Sequence, residues 1–258
     1  MHPVTAPDHG RTTEADPRGA PHDALVVEQQ RTLTSARRRY SLGARVLFAG
    51  MDVLYGRRRS LEKFVVLELV ARVPYQAWEH AAYLAITRHA ADTRVARAIH
   101  DRVCRTRMQQ DNEQWHLFIL EDVLERDGVR LPWFRYRLLP QAIAWAYYAT
   151  SVALYLVAPA RSYALNADFE DHAEHEYMEY VAEHPEIDRR GCACSVAEDY
   201  GGGDTLGDVL RQIALDERQH KLESLEELEQ LPSRRIGRAL AAASVVAGAL
   251  TAAAAVLR

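Results

Sequence analysis

Residues 113–116 read Glu-Gln-Trp-His and residues 217–220 read Glu-Arg-Gln-His. A carboxylate and an imidazole three positions apart lie on one face of a helix, so each motif can offer one oxygen and one nitrogen to a common point. The pattern is short, and in a chain with 11 histidines two copies alone are compatible with ordinary surface side chains. Two further carboxylates alter that reading. Glu68 interrupts the apolar run from Phe64 to Ala71, and a charge buried there without a partner is costly, so it needs a cation: an arginine or a metal. Glu170 sits in a polar stretch and by itself would attract no notice. In chain order, however, Glu68, Glu113/His116, Glu170 and Glu217/His220 give Glu, Glu-x-x-His, Glu, Glu-x-x-His. A four-helix bundle that projects this set inward holds a pair of iron or manganese ions. Carboxylates bridge hard cations and balance their charge, while imidazoles complete each coordination sphere and leave room for oxygen.

The elements needed to position these residues are helices. Leu42, Val46, Leu47, Met51 and Leu54 recur at helical spacing within a helix expected from Thr34 to Tyr55. A second helix is expected over 60–90, bent or broken by Pro74. A third runs from Asp92 to Arg126 and stops at Asp127-Gly128. The fourth starts after Pro132 or Pro140 and ends near Pro159; the fifth covers 162–183 and is closed by Pro185. After a loop with Cys-Ala-Cys and Gly-Gly-Gly, the sixth is capped by Asp204 or Thr205, supported by Asp208, and runs to Leu231. The expected fold class is all-α: a ferritin-like four-helix bundle around a di-metal site, with additional helices. The division is a disordered tail over 1–30, the bundle over 31–232 and an alanine-rich helix over 233–258.

Composition excludes several classes. A net charge of −4 over 258 residues argues against nucleic acid as a partner, and a mean hydropathy of −0.29 excludes a polytopic membrane protein. Cys104, Cys192 and Cys194 are too few for a disulfide framework, and two soft ligands at 192 and 194 do not make a zinc site. The first two dozen residues lack the apolar block of a secretory signal, and their acidic residues argue against a transit peptide. Residues 138–160 carry no charge and are long enough to span a bilayer. A single span would put Glu113 and Glu170 on opposite sides. A helix lying in the interface, anchored by Trp145, Tyr147, Tyr148 and Tyr155, avoids this, as does a buried bundle helix. Residues 239–257 are also charge-free but mostly alanine; a weak anchor, a lid and a covering helix all fit. The clusters Arg37–Arg39 and Arg57–Arg59 suit an anionic lipid surface or a solvated face.

The segments around the six residues resemble the alternative oxidases, membrane-bound di-iron quinol oxidases. Residues 67–74 (Leu-Glu-Leu-Val-Ala-Arg-Val-Pro) resemble that family's segment around its first Glu, and 112–117 its Asn-Glu-x-x-His-Leu motif. Residues 169–177 are similar to its Leu-Glu-Glu-Glu-Ala-x-His-x-Tyr motif, and 204–220 to its Ala-Thr-Leu-Arg-Asp-Val…Asp-Glu-x-x-His pattern; 147–167 match more loosely. The resemblance runs from about residue 40 to 230. It implies that Glu68, Glu113, His116, Glu170, Glu217 and His220 ligate two iron ions cycling between Fe2+ and Fe3+. It implies that Tyr177 is redox-active and that Asn112 and Asp216 orient the ligands by hydrogen bonds. Leu67, Ala173, Lys63 and Glu176 are expected at the substrate pocket. The last two depart from the family, which has Arg for Lys63 and a small hydroxyl residue for Glu176. The family's Trp after a Tyr before the last ligand helix is absent, since Gly201 follows Tyr200.

The expected activity is oxidation of a quinol with reduction of O2 to water, without proton pumping. The alternative is a di-iron oxygenase or desaturase acting on an organic substrate of a biosynthetic pathway; a metal-storing bundle is a third reading. The expected partners are O2, a quinol or other organic reductant and a membrane surface, with no nucleic acid and with a homodimer compatible. Monotopic association on the cytoplasmic side is expected, with a soluble cytoplasmic protein as the alternative.

Overall fold

The structure, a computed structural model, describes residues 19–192, 195–201 and 203–231. Those residues form α1 (His22–Thr34), α2 (Leu42–Tyr55), α3 (Leu61–Ala71), α4 (Val73–His89), α5 (Thr93–Arg126), α6 (Leu139–Val157), α7 (Pro159–Glu183), α8 (Ser195–Tyr200) and α9 (Leu206–Gln230). A π-helical turn, Phe134–Leu138, leads into α6, and a 3-10 turn, Pro185–Arg189, follows α7.

Helix boundaries follow local chemistry. Asp92 caps α5 by accepting from the backbone N–H of Arg94 and Val95. Gly128, at φ +68°, turns the chain out of that helix. Of the two expected caps, Asp204 and Thr205, it is Thr205 that caps α9, accepting from the N–H of Asp208. Arg72 keeps helical angles between α3 and α4, so the α3/α4 rod is interrupted only there, and Pro74, which lacks an N–H, falls in the first turn of α4.

The bundle consists of α3/α4, α5, α7 and α9. The α3/α4 rod packs along α5, and α7 packs along α9; α6 lies over α4 and α7, and α1 bridges α7 and α9. Phe64, Val65, Ile119, Leu120, Met178, Leu210 and Ile213 fill the core between them.

Two expectations are corrected. The span 1–30 does not stay irregular to its end, because α1 begins at His22. That helix is held by polar tertiary contacts: Gln29 donates to the Met178 carbonyl, and Thr32 Oγ1 donates to Glu174 Oε1 at 2.7 Å. The helix expected from Thr34 instead starts at Leu42. Side chains on α7 hold residues 36–41 in a non-helical course: Asp171 accepts from the Arg38 N–H (2.9 Å), and Asp168 accepts from the Ser41 N–H (2.8 Å). Residues 1–18, Cys194 and the expected alanine-rich helix over 233–258 lie outside the described residues.

Buried Asp171, Glu174 and His175 lie within 4.8 Å of one another, yet Lys221 engages both acids (3.0 and 2.5 Å) and Arg218 binds Glu174 at 2.9 Å. This is an ion-pair network with its cations in place. Glu174→Ala is expected to lower stability by about 2 kcal/mol, because Lys221, Arg218 and Thr32 lose a charged hydrogen-bond partner; a urea melt reads it.

Candidate metal centre

The four bundle helices bring all six predicted ligands together. Glu68 on α3, Glu113 and His116 on α5, Glu170 on α7, and Glu217 and His220 on α9 are buried, with 4% exposure at most. Their ligand atoms form two groups, each within 4.8 Å: Glu68, Glu113, His116 and Glu217 in one, Glu113, Glu170, Glu217 and His220 in the other. Glu113 and Glu217 belong to both. That overlap outlines two candidate cation positions, each with its own Glu and His and with two carboxylates within reach of both.

The polar atoms themselves argue for an occupant. Glu68 Oε2, both oxygens of Glu113, His116 Nδ1, Glu170 Oε2, both oxygens of Glu217 and His220 Nδ1 are buried without a hydrogen bond. Such orphans are rare in proteins, and here every one of the six residues contributes. His220 Nδ1 lies 2.8 Å from Glu113 Oε1, and His116 Nδ1 lies 3.1 Å from Glu217 Oε1, without hydrogen-bond alignment. Four carboxylates and two neutral imidazoles match the charge of two divalent cations, and the oxygen and nitrogen donor set suits iron or manganese.

Without cations the acids resist ionisation. Burial, then the charges of Glu170 and Glu68, holds the Glu113 carboxyl well above its usual range. Burial, then Glu217, does the same to Glu170. Burial, then Glu113 and Glu68, pushes Glu217 up to about 8. Burial disfavours charge on His116, but Asp216, Glu217 and Glu68 outweigh it and hold its pKa well above the usual value.

The far nitrogens of the two histidines are backed reciprocally. Asp216, on α9, sits 3.3 Å from His116 Nε2 on α5; Asn112, on α5, sits 3.4 Å from His220 Nε2 on α9. Burial works against charge on Asp216, yet hydrogen bonds from His116 and Tyr200 keep its pKa below the usual range. Asp216→Asn is expected to weaken metal binding by about 10–100-fold, read by competitive metal titration. Tyr177 donates a hydrogen bond to Glu68 Oε1, and burial, then Glu68, raises its pKa well above 10.

Several residues at the site were missed in the sequence. Tyr75 donates to Glu170 Oε1 (2.6 Å), and Asn166 Nδ2 donates to the same oxygen (3.0 Å) and to Ser224 Oγ (3.1 Å). Tyr200, from the short α8, donates to Asp216. Spacing contained part of this: Tyr75 follows Glu68 by seven positions, Asn166 precedes Glu170 by four, and Ser224 follows His220 by four, all on ligand-bearing faces. Nothing local marks Tyr200, whose partner lies across a loop.

Leu67 and Ala173 are buried beside the ligands. Lys63 and Glu176 are held in ion pairs. Lys63 Nζ binds Asp52 (2.7 Å) and the Gly56 carbonyl; Glu176 binds Arg37 (3.0 Å) and Arg59 (3.3 Å).

A family model described as alternative oxidase matches residues 25–226. The chain belongs to the alternative oxidase family. A curated relative of this alternative oxidase homologue is Ubiquinol oxidase 4, chloroplastic/chromoplastic, from Arabidopsis thaliana, 31% identical over 168 residues. The match covers 60% of this chain and 41% of that protein, so the chain spans well under half the length of that relative. No solved structure matches this alternative oxidase family member.

Proposed function

We propose that this protein oxidises a quinol and reduces O2 to water at two iron ions held by Glu68, Glu113, His116, Glu170, Glu217 and His220. The observation that carries the reading is the overlap of the two four-residue groups at Glu113 and Glu217. Family membership and the name of the Arabidopsis relative support quinol as the reductant. Two ferrous ions, when bound, supply affinity for O2 and the first electrons for its reduction.

The chain's own residues then have distinct tasks. The four carboxylates would balance the charge of the cations, with Glu113 and Glu217 available to both. Asp216 and Asn112 set the ring orientations of His116 and His220. Tyr177 keeps its phenolic proton, held toward Glu68 Oε1, until an electron and that proton are needed together. Burial of all six ligands excludes bulk water from the reacting atoms.

A second reading, oxidation of a different organic substrate, draws support from Lys63 and Glu176. Both depart from the family pattern in size and hydrogen-bonding capacity, and here they pair with Asp52 and Arg37. Anaerobic iron loading followed by O2 uptake with and without a quinol analogue distinguishes the two. Uptake stimulated by quinol is expected; bound iron without quinol oxidation would overturn the quinol assignment and leave the metal site.

Quinols partition into membranes, and one surface suits such a source. Leu42 and Val53 on α2 and Trp145 on α6 are 76%, 84% and 72% exposed. The C-terminal end of α2 meets the turn before α6, where Tyr55 donates to the Arg135 carbonyl beside exposed Trp133, Phe134 and Leu138. Among the described residues no helix is long and apolar enough to cross a membrane, so this apolar strip would lie in the interface. Co-flotation with anionic vesicles is expected, and Trp145→Asp with Val53→Asp should abolish it.

A further inference from the structure

The two sides of the acid cluster differ in the aromatic rings behind them. Beyond Tyr177 the next ring is Phe64, at a centroid distance of 4.3 Å, a side chain that does not readily lose an electron. Beyond Glu170 the sequence of rings is different. Tyr75, fully buried, is hydrogen-bonded to Glu170 and meets Trp78 edge-on at 5.4 Å. Trp78 lies 4.6 Å from Tyr163. The Tyr163 and Tyr155 hydroxyls are 3.3 Å apart, and Tyr155, on α6, is half-buried. Each ring from Tyr75 outward is a tyrosine or a tryptophan, the side chains most easily oxidised by one electron, and each packs against the next.

We propose that Tyr75, Trp78, Tyr163 and Tyr155 form an electron relay that carries oxidising equivalents from the metal centre to the surface when no organic reductant is bound. The proposal rests on the di-iron reading above. Its electron balance is explicit. Reducing O2 to two waters takes four electrons and four protons; two ferrous ions becoming ferric give two electrons, and a quinol gives the other two with two protons. Without quinol, two electrons are lacking, and the relay supplies them one at a time. Tyr75 loses an electron inward while its proton moves along the hydrogen bond to Glu170 Oε1. Trp78 then refills Tyr75, the proton returns, and the vacancy passes to Tyr163 and on to Tyr155, the Tyr163 proton moving along its hydrogen bond to the Tyr155 oxygen and back. There Tyr155 loses the electron and gives its phenolic proton to water, and a thiol or enediol in solvent can restore it. Solvent also provides the protons consumed in water formation.

The alternative is an aromatic cluster that only packs α4 against α6 and α7, and the test separates the two. The full chain is loaded anaerobically with Fe2+, mixed with O2 without quinol, freeze-quenched for electron paramagnetic resonance, and digested for peptide mass spectrometry. Wild type is expected to show oxygen adducts at Trp78 and Tyr155 that ascorbate suppresses. Tyr75→Phe should lose both adducts. Trp78→Phe keeps the Tyr75–Glu170 hydrogen bond, so it should retain a radical at Tyr75 while losing the adduct at Tyr155. Iron content and melting temperature are measured on the same samples. Unchanged adducts in either variant would overturn the relay, as would iron-loaded, O2-consuming wild type with no modification at Trp78 or Tyr155. A chain that binds no iron would instead overturn the di-iron reading and the relay with it.

Discussion

Replacing Glu217 by Gln is expected to abolish O2 uptake while making the metal-free protein more stable above pH 8. Glu217 belongs to both four-residue groups, so an amide there removes a charged oxygen from both cation positions at once. Iron content should fall below that of any variant at a residue belonging to one group. The gain in stability has the same origin. In the metal-free fold burial, then the charges of Glu113 and Glu68, pushes the Glu217 pKa up to about 8, and a neutral amide removes that penalty. The gain builds as pH rises toward 8 and levels off above it, on the order of a few kcal/mol, since each pKa unit between the ordinary 4.5 and about 8 corresponds to about 1.4 kcal/mol. Metal analysis, O2 uptake and urea melts on one preparation check all three. A Glu217→Gln protein that keeps two irons and turns over would show that this carboxylate is not shared.

The second large effect is a coupling of pH to metal binding. Glu217 has a raised pKa in the folded metal-free state, so between its ordinary value and about 8 the folded chain binds more protons than the unfolded one. Stability therefore falls as pH rises through that window. His116, with its pKa also raised, acts with the same sign: the stability it confers on the metal-free fold is present at low pH and lost as pH rises through its folded pKa. Divalent cations reverse the penalty by taking the place of those protons. Anaerobic melts with and without Mn2+ should show a metal-induced rise that widens toward pH 8, reaching about 4 kcal/mol at a thousandfold excess over the dissociation constant. Proton release on metal addition, seen with an indicator dye, should accompany it. An equal metal effect at both ends of the window would contradict the assignment.

The six converging residues were legible because their chemistry is carried by residue type and helical spacing: one Glu in an apolar run, and two Glu-x-x-His motifs. The break near Pro74, the cap at Thr205 and the stop at Gly128 were legible for the same local reason. What escaped was set by tertiary partners. Nothing within residues 22–34 announces a helix as clearly as Gln29 and Thr32 do once Met178 and Glu174 are beside them. The non-helical course of 36–41 depends on Asp168 and Asp171, some 130 positions away. The ion pairs of Lys63 with Asp52 and of Glu176 with Arg37 and Arg59 likewise could not be read from spacing.

The placement of the acids relative to the helix pairs has a mechanical consequence. Residues 61–126 supply Glu68, Glu113 and His116, and residues 159–230 supply Glu170, Glu217 and His220. Each four-residue group takes three members from one half and a single member from the other, while α5 and α9 touch only lightly. Two ions would thus rivet one helical hairpin to its counterpart. In amide hydrogen exchange, the metal-free chain should breathe along this seam, with α5 and α9 gaining protection together on loading and the outward-facing α2 scarcely responding.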